Sequence, residues 1–132
     1  MNATLRYLWL NGKELTGVDR RLEPLLFHTL LHLRLDSNPL RCNCELVWLK
    51  KFYDRTVDVF RGAVPPACHS PARLKGRRFD EVSLFDFRCH PPSFKDVEVS
   101  FAATAARLRC TATGDPAPII YWIQPSGKTT MY

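Results

Sequence analysis

The stretch Asn38-Pro39-Leu40-Arg41-Cys42-Asn43-Cys44-Glu45-Leu46-Val47-Trp48-Leu49, followed by lone cysteines at Cys68 and Cys89, decides how this chain is read. A C-x-C pair and then single cysteines suits a disulfide framework better than scattered cytosolic thiols. Two apart in an extended stretch, Cys42 and Cys44 are expected to diverge and to bridge different partners, for which Cys68 and Cys89 are the candidates. Directly after them, Leu46, Leu49, Phe52 and Tyr53 recur at helical spacing between Glu45 and Asp54, so the cysteines feed an amphipathic helix.

Working outward toward the start, Leu5, Leu8, Leu10 and Leu15 recur as Leu30, Leu33, Leu35 and Leu40, an offset of 25 residues. That period matches leucine-rich repeats, in which L-x-x-L-x-L is a short parallel strand with its leucines turned into the solenoid. A polar residue three past the last strand leucine satisfies backbone groups in the turn. Asn38 holds that place, whereas the first repeat has Lys13 there and is expected to be irregular. The helix over Glu45 to Asp54 should then cover the end of the solenoid. Between the leucines, Arg6, Tyr7 and Trp9, then Leu31, His32 and Arg34, should face outward on the concave sheet, with Tyr7 beside His32 and Trp9 beside Arg34. Aromatic and arginine side chains in such a row are the types enriched at interface hot spots, which makes Arg6, Tyr7, Trp9, His32 and Arg34 the leading partner site.

The cysteine stretch resembles the C-terminal flanking domain of extracellular leucine-rich repeat proteins, whose signature is N-P-x-x-C-x-C, x-x-W-L, C-x-x-P-x-x-L-x-G and a final Cys. Here the positions read Asn38-Pro39, Cys42 and Cys44, Trp48-Leu49, Cys68-His69-Ser70-Pro71, Leu74, Gly76 and Cys89. The resemblance implies bridges from Cys42 to Cys68 and from Cys44 to Cys89; the sequence by itself permits other pairings. A zinc site on Cys42, Cys44, Cys68, His69, Cys89 and His90 is the competing reading, disfavoured because C-x-x-C pairs are lacking.

Past Cys89, Pro91-Pro92 marks a boundary, and Val97, Val99 and Phe101 alternate as in a strand. Leu108, Cys110 and Ala112 alternate next, and after the turn Gly114-Asp115-Pro116-Ala117-Pro118 so do Ile120 and Trp122. This order resembles the start of an I-set immunoglobulin domain, with Cys110 as the strand B cysteine and Trp122 as the strand C tryptophan. The chain ends at Tyr132 before a strand F cysteine, so Cys110 is expected to be unpaired and the half-domain unstable alone. The expected fold class is α+β: two leucine-rich repeats over residues 1–40, a disulfide-bonded cap over 41–90, and part of an all-β immunoglobulin sandwich over 91–132.

Repeats, cap and immunoglobulin domain in this order resemble the ectodomains of cell-surface repeat-plus-immunoglobulin proteins, the Kekkon-like group and neuronal adhesion relatives. The resemblance implies protein–protein recognition outside the cell, with another cell-surface protein or a secreted ligand as partner. It also implies membrane anchoring, in the full-length form, through a single-pass segment that this chain does not contain. Peroxidasin-like matrix enzymes share these modules, so a binding arm of such a haem peroxidase is the alternative. The chain itself shows no nucleophile motif, phosphate-cradling loop or cofactor signature, so it is not expected to be an enzyme.

The remaining composition refines this picture. With 132 residues and a net charge of +6, acidic partners are favoured. Local basic clusters stand at Lys50, Lys51 and Arg55 and at Arg73, Lys75, Arg77 and Arg78, the latter a candidate for heparan sulfate. Nucleic acid is excluded by the compartment that the disulfides imply. Asn2-Ala3-Thr4 is a glycosylation acceptor by pattern. His28 and His32 stand four apart, but the strand pattern through Leu30, Leu33 and Leu35 argues against a shared metal. No signal-like start and no run of eighteen apolar residues is present.

Overall fold

The computed structural model describes residues 5–131, with the side chains of Leu25, Phe27 and His28 outside the description, as is Asn2. The chain divides into two compact units, Met1–Arg88 and Cys89–Tyr132.

In the first unit, strand β1 (Tyr7–Trp9) lies parallel to β2 (His32–Arg34), with Tyr7 opposite His32, Leu8 opposite Leu33 and Trp9 opposite Arg34. Parallel neighbours need a crossover. Here it runs through a 3₁₀ turn at Arg20–Leu22 and the helix α1 (Glu23–Thr29), whose proline stands in the first turn where its missing N–H costs nothing. The period-two leucines behave as a strand requires: Leu33 and Leu35 are buried, while Leu8, Leu10 and Leu15 pack half-buried against the same core. Leu5, expected to point inward, is 36% exposed, because it lies ahead of β1 and no described strand pairs with that edge.

Beyond the repeats, β3 (Leu40–Arg41) pairs in parallel with β4 (Cys68–Ser70), and helix α2 (Val47–Arg55) lies between them in sequence. The stretch through the two cysteines is not extended as expected. After β3 the chain turns at Asn43, whose side-chain oxygen accepts from the Glu45 N–H at 3.0 Å. In an extended chain residues two apart share a face; the turn is what leaves Cys42 buried and Cys44 exposed. Helix α2 buries Trp48, Leu49, Phe52 and Tyr53, and these join Leu26, Leu33, Leu35 and Leu40 in one core. Each such side chain contributes roughly 1.5–3 kcal/mol by leaving water. Edge-on and tilted aromatic contacts extend the cap: Phe52 and Tyr53 both meet Phe60, Tyr53 meets Phe79, and Phe79 meets Phe87 at centroid separations of 4.8 to 5.9 Å.

Cys42 and Cys68 form a disulfide across a sequence separation of 26, with Cα atoms 5.7 Å apart. Cys44 and Cys89 are disulfide-bonded as well, and Cys110 is a buried free thiol. Gly76, the signature glycine, has φ +81°, and its N–H donates to the Cys68 carbonyl at 2.8 Å. An L side chain would be strained there.

Lys50 does not stand in a surface basic cluster with Lys51 and Arg55. It is only 4% exposed, and its ammonium donates to an Asp54 carboxylate oxygen and to the Phe79 carbonyl, both at 2.7 Å. On α2 it falls between the buried Leu49 and Phe52, so its stem follows the core face, and the charge is held by one acid and one carbonyl. Asp54→Ala should therefore lower stability by roughly 1–2 kcal/mol, read as a shifted urea midpoint, since it strips a buried ammonium of its charged partner. An unmoved midpoint would show that water replaces the carboxylate at no cost.

In the second unit, β5 (His90–Ala102) and β6 (Ala105–Asp115) form a long antiparallel hairpin, and β7 (Tyr121–Ile123) pairs with β8 (Thr129–Met131). The register places Val97 opposite Cys110, Val99 opposite Leu108 and Phe101 opposite Ala106 on one face, and Glu98 opposite Arg109 and Ser100 opposite Arg107 on the other. Trp122 lies in β7, while Ile120 precedes it.

Candidate partner-binding site

The outward row of the repeat sheet is built by strand alternation: Leu8 and Leu33 turn inward, so their neighbours must turn out. Tyr7 and Trp9 are 57% and 54% exposed. Their exposure is held in shape. The Tyr7 ring stacks on the His32 imidazole, centroids 5.4 Å apart and planes 10° from parallel, and meets the Trp9 ring at 6.2 Å. The Arg6 carbonyl accepts from the N–H groups of Leu31 and His32 at 2.7 and 3.0 Å, which fixes the start of the row. Arg34 directs two guanidinium nitrogens at the buried Asp36 carboxylate, each at 3.3 Å. Tyr7, Trp9, His32 and Arg34 are thus brought together on one two-stranded sheet, with Leu31 exposed at its margin, while Arg6 stands one residue ahead of β1 and joins the sheet through its carbonyl.

A second wall, which the sequence pattern does not reveal, comes from the cap. After the 3₁₀ turn at Val57–Phe60, residues Arg61, Gly62, Ala63 and Val64 face Trp9, His32 and Arg34 across a cleft of about 290 Å³, with Leu33 and Val59 also lining it. Gly62 has φ +78°, the conformation that lets the chain turn there. Val64, in that wall, is 60% exposed. The one available signal is the Arg61-Gly62 step ahead of Pro65-Pro66. It marks a loop without saying what the loop faces.

The second basic group is arranged otherwise. Arg73 donates to the Asp86 carbonyl at 2.8 Å; Arg78 pairs with Asp80 at 3.0 Å and with Glu81 at 3.1 Å, and Arg77 lies 3.5 Å from Glu81. Lys75 is exposed. The Arg78 guanidinium holds the Asp80 carboxyl below its ordinary range, and the Ser83 backbone N–H does the same for Asp86, so both acids stay charged among the arginines. Interleaved acids offset the field that a polyanion would need.

His28 falls in α1 and His32 in β2, on different elements. Among the described residues no group of His, Cys, Asp and Glu is placed to hold a metal. The Cys42 and Cys68 sulfurs are bonded to each other, which removes them as ligands.

No protein-family model matches the chain. Similar curated proteins are leucine-rich repeat and fibronectin type-III domain-containing protein 3 of Homo sapiens, 42% identical over 101 residues, and protein 5 of that series from Mus musculus, 41% identical over 100 residues. Protein 2 of the series from Mus musculus is 37% identical over 101 residues. These alignments cover 73–74% of this chain but only 12–15% of the relatives, so the chain spans a small part of their length. A parallel sheet that buries its leucines, a disulfide-bonded segment after it and this level of identity agree, and over the aligned residues the chain is a homologue of the leucine-rich repeat and fibronectin type-III domain-containing proteins.

Proposed function

We propose that this chain is the recognition end of an extracellular leucine-rich repeat protein, binding another cell-surface or secreted protein through the β1–β2 row. The observation that carries the reading is the ordered, exposed Tyr7–Trp9–His32 surface on a disulfide-capped repeat. Large aromatic rings that are already fixed lose little entropy on binding, and rings of this kind anchor interfaces. In this reading residues 1–40 are the repeats, 41–90 the cap, and 91–132 the opening strands of an immunoglobulin-like domain, Cys110 and Trp122 lying on its inner face. The disulfides support an oxidising compartment. The relatives are repeat and fibronectin proteins, which does not favour the peroxidase-arm alternative. The acid-laced arginines do not favour heparan sulfate as the principal ligand.

The test is direct. The chain, secreted and displayed as a tagged oligomer, should stain cells that carry its partner, and Tyr7→Ala with Trp9→Ala should reduce that staining at least tenfold while leaving the secreted yield unchanged, since both rings are more than half exposed. Undiminished staining would move the contact away from this sheet.

A further inference from the structure

The lining of the cleft beside Trp9 has a distinctive chemistry. Arg34, Arg61, His32 and Trp9 line it, and no acidic residue is among the described residues that do. The acids that touch these arginines, Asp36 and Asp58, do not line it. Neither arginine is used up. Arg34 spends two of its donors on Asp36 at long range, and a guanidinium has five. The Arg61–Asp58 pair is 78% and 84% exposed, the kind of contact that contributes little and yields readily to a better partner. The rest of the wall, Gly62 to Val64, is uncharged and small. A volume of about 290 Å³ lies just under the range in which drug-sized molecules are held, and suits one or two side chains.

Resting on the reading of this sheet as the partner surface, we infer that the protein partner inserts an acidic side chain, Glu or Asp, from an apolar loop into the Trp9–Arg34–Arg61 cleft. The aliphatic part of that loop packs against Trp9 and Val64, and its carboxylate accepts from the two guanidinium groups. A carboxylate between paired arginine forks is favoured over a neutral amide by charge-assisted bonds. The cleft thus selects the partner by charge, while the Tyr7–Trp9 row supplies contact area.

Random peptides displayed on phage, selected on the folded 132-residue chain, provide the probe. Selected peptides should share an acidic residue beside an apolar one, and a synthetic peptide from the selection should lose about tenfold in affinity on Arg61→Gln, an exposed change that leaves thermal unfolding unmoved. Changing its acid to the amide should cost as much in the wild type and little in R61Q. Selection on Arg61→Glu should turn the motif basic. Peptides that need Trp9 yet carry no acid, and ignore R61Q, would overturn the cleft assignment while leaving the sheet as the partner surface. Peptides indifferent to Trp9→Ala as well would overturn both. Binding of a heparin oligosaccharide at Arg61 in preference to every peptide would overturn the protein-loop assignment.

Discussion

Replacing Asn38 with leucine should leave the chain unable to fold into a secretable form. The two side chains are of similar size, so the cost is not a cavity. It comes from what the amide does. Its oxygen accepts from the Lys13 and Leu15 N–H groups at 2.9 and 3.0 Å, and its nitrogen donates to the Leu10 and Leu35 carbonyls at 2.8 and 2.9 Å. Three of those four groups belong to the preceding repeat, whose own asparagine position is taken by Lys13. One side chain therefore ties both repeat turns together, from a position 7% exposed. Leucine leaves the four backbone groups without partners in a place where water enters poorly, at roughly 1–3 kcal/mol each. Even with half of them recovering a water, a loss of about 4 kcal/mol remains, against about 5–15 kcal/mol for a whole domain. Asn38→Asp separates the contributions: it keeps both acceptor bonds but turns a carboxylate toward two carbonyls, and should also be severely destabilised. Secreted yield and the urea midpoint of any recovered protein are the readouts. A leucine variant within about 1 kcal/mol of wild type would mean that the turn rearranges to satisfy its own backbone.

How far the sequence leads depends on whether a feature is local or periodic. The leucines at an offset of 25 give the register of β1 and β2, so that Tyr7 meets His32 and Trp9 meets Arg34 as the spacing predicts. The disulfide between Cys42 and Cys68 is what resemblance to the flanking domain implies. The service that Asn38 renders to Lys13 and Leu15 is less legible, since the substitution at Lys13 predicts only irregularity and not where the replacement bonds come from. Burial of Lys50 depends on the Phe79 carbonyl, 29 residues away, and no helical period reveals an acceptor that distant. The cap wall from Arg61 to Val64 is hidden for the same reason, because a loop without periodicity gives no hint of the surface it approaches. The acids that stand with Arg73, Arg77 and Arg78 follow them in sequence as Asp80, Glu81 and Asp86; counting cations without reading the residues that come next overstates the field.

Removing the Cys42–Cys68 bridge should cost nearly as much as losing Asn38, and should harm the partner site without touching it. The pair is best replaced together, as Cys42→Ala with Cys68→Ala, so that no lone thiol reshuffles with Cys44, Cys89 or Cys110. Closing a loop over a separation of 26 residues restricts the unfolded chain by roughly 3.5 kcal/mol. The native backbone does not make up this loss: the Cys42 N–H already donates to the Ser70 carbonyl at 2.8 Å and β3 already pairs with β4, so those bonds count in both variants. What the loop encloses decides the consequence. Helix α2, Phe60 and the whole wall from Arg61 to Val64 lie between the two cysteines. The double variant should therefore unfold at a urea midpoint lower by an amount matching about 3 kcal/mol, be secreted poorly, and bind cleft-directed peptides weakly at temperatures where wild type binds fully. Cys110→Ala serves as the control. It changes a free thiol in the other unit and should lower neither the cap's midpoint nor its peptide affinity. Were the double variant to bind cleft-directed peptides as wild type does at those temperatures, the bridge would not be what holds the cleft, and the wall from Arg61 to Val64 would be fixed by the aromatic contacts of Phe60 with Phe52 and Tyr53.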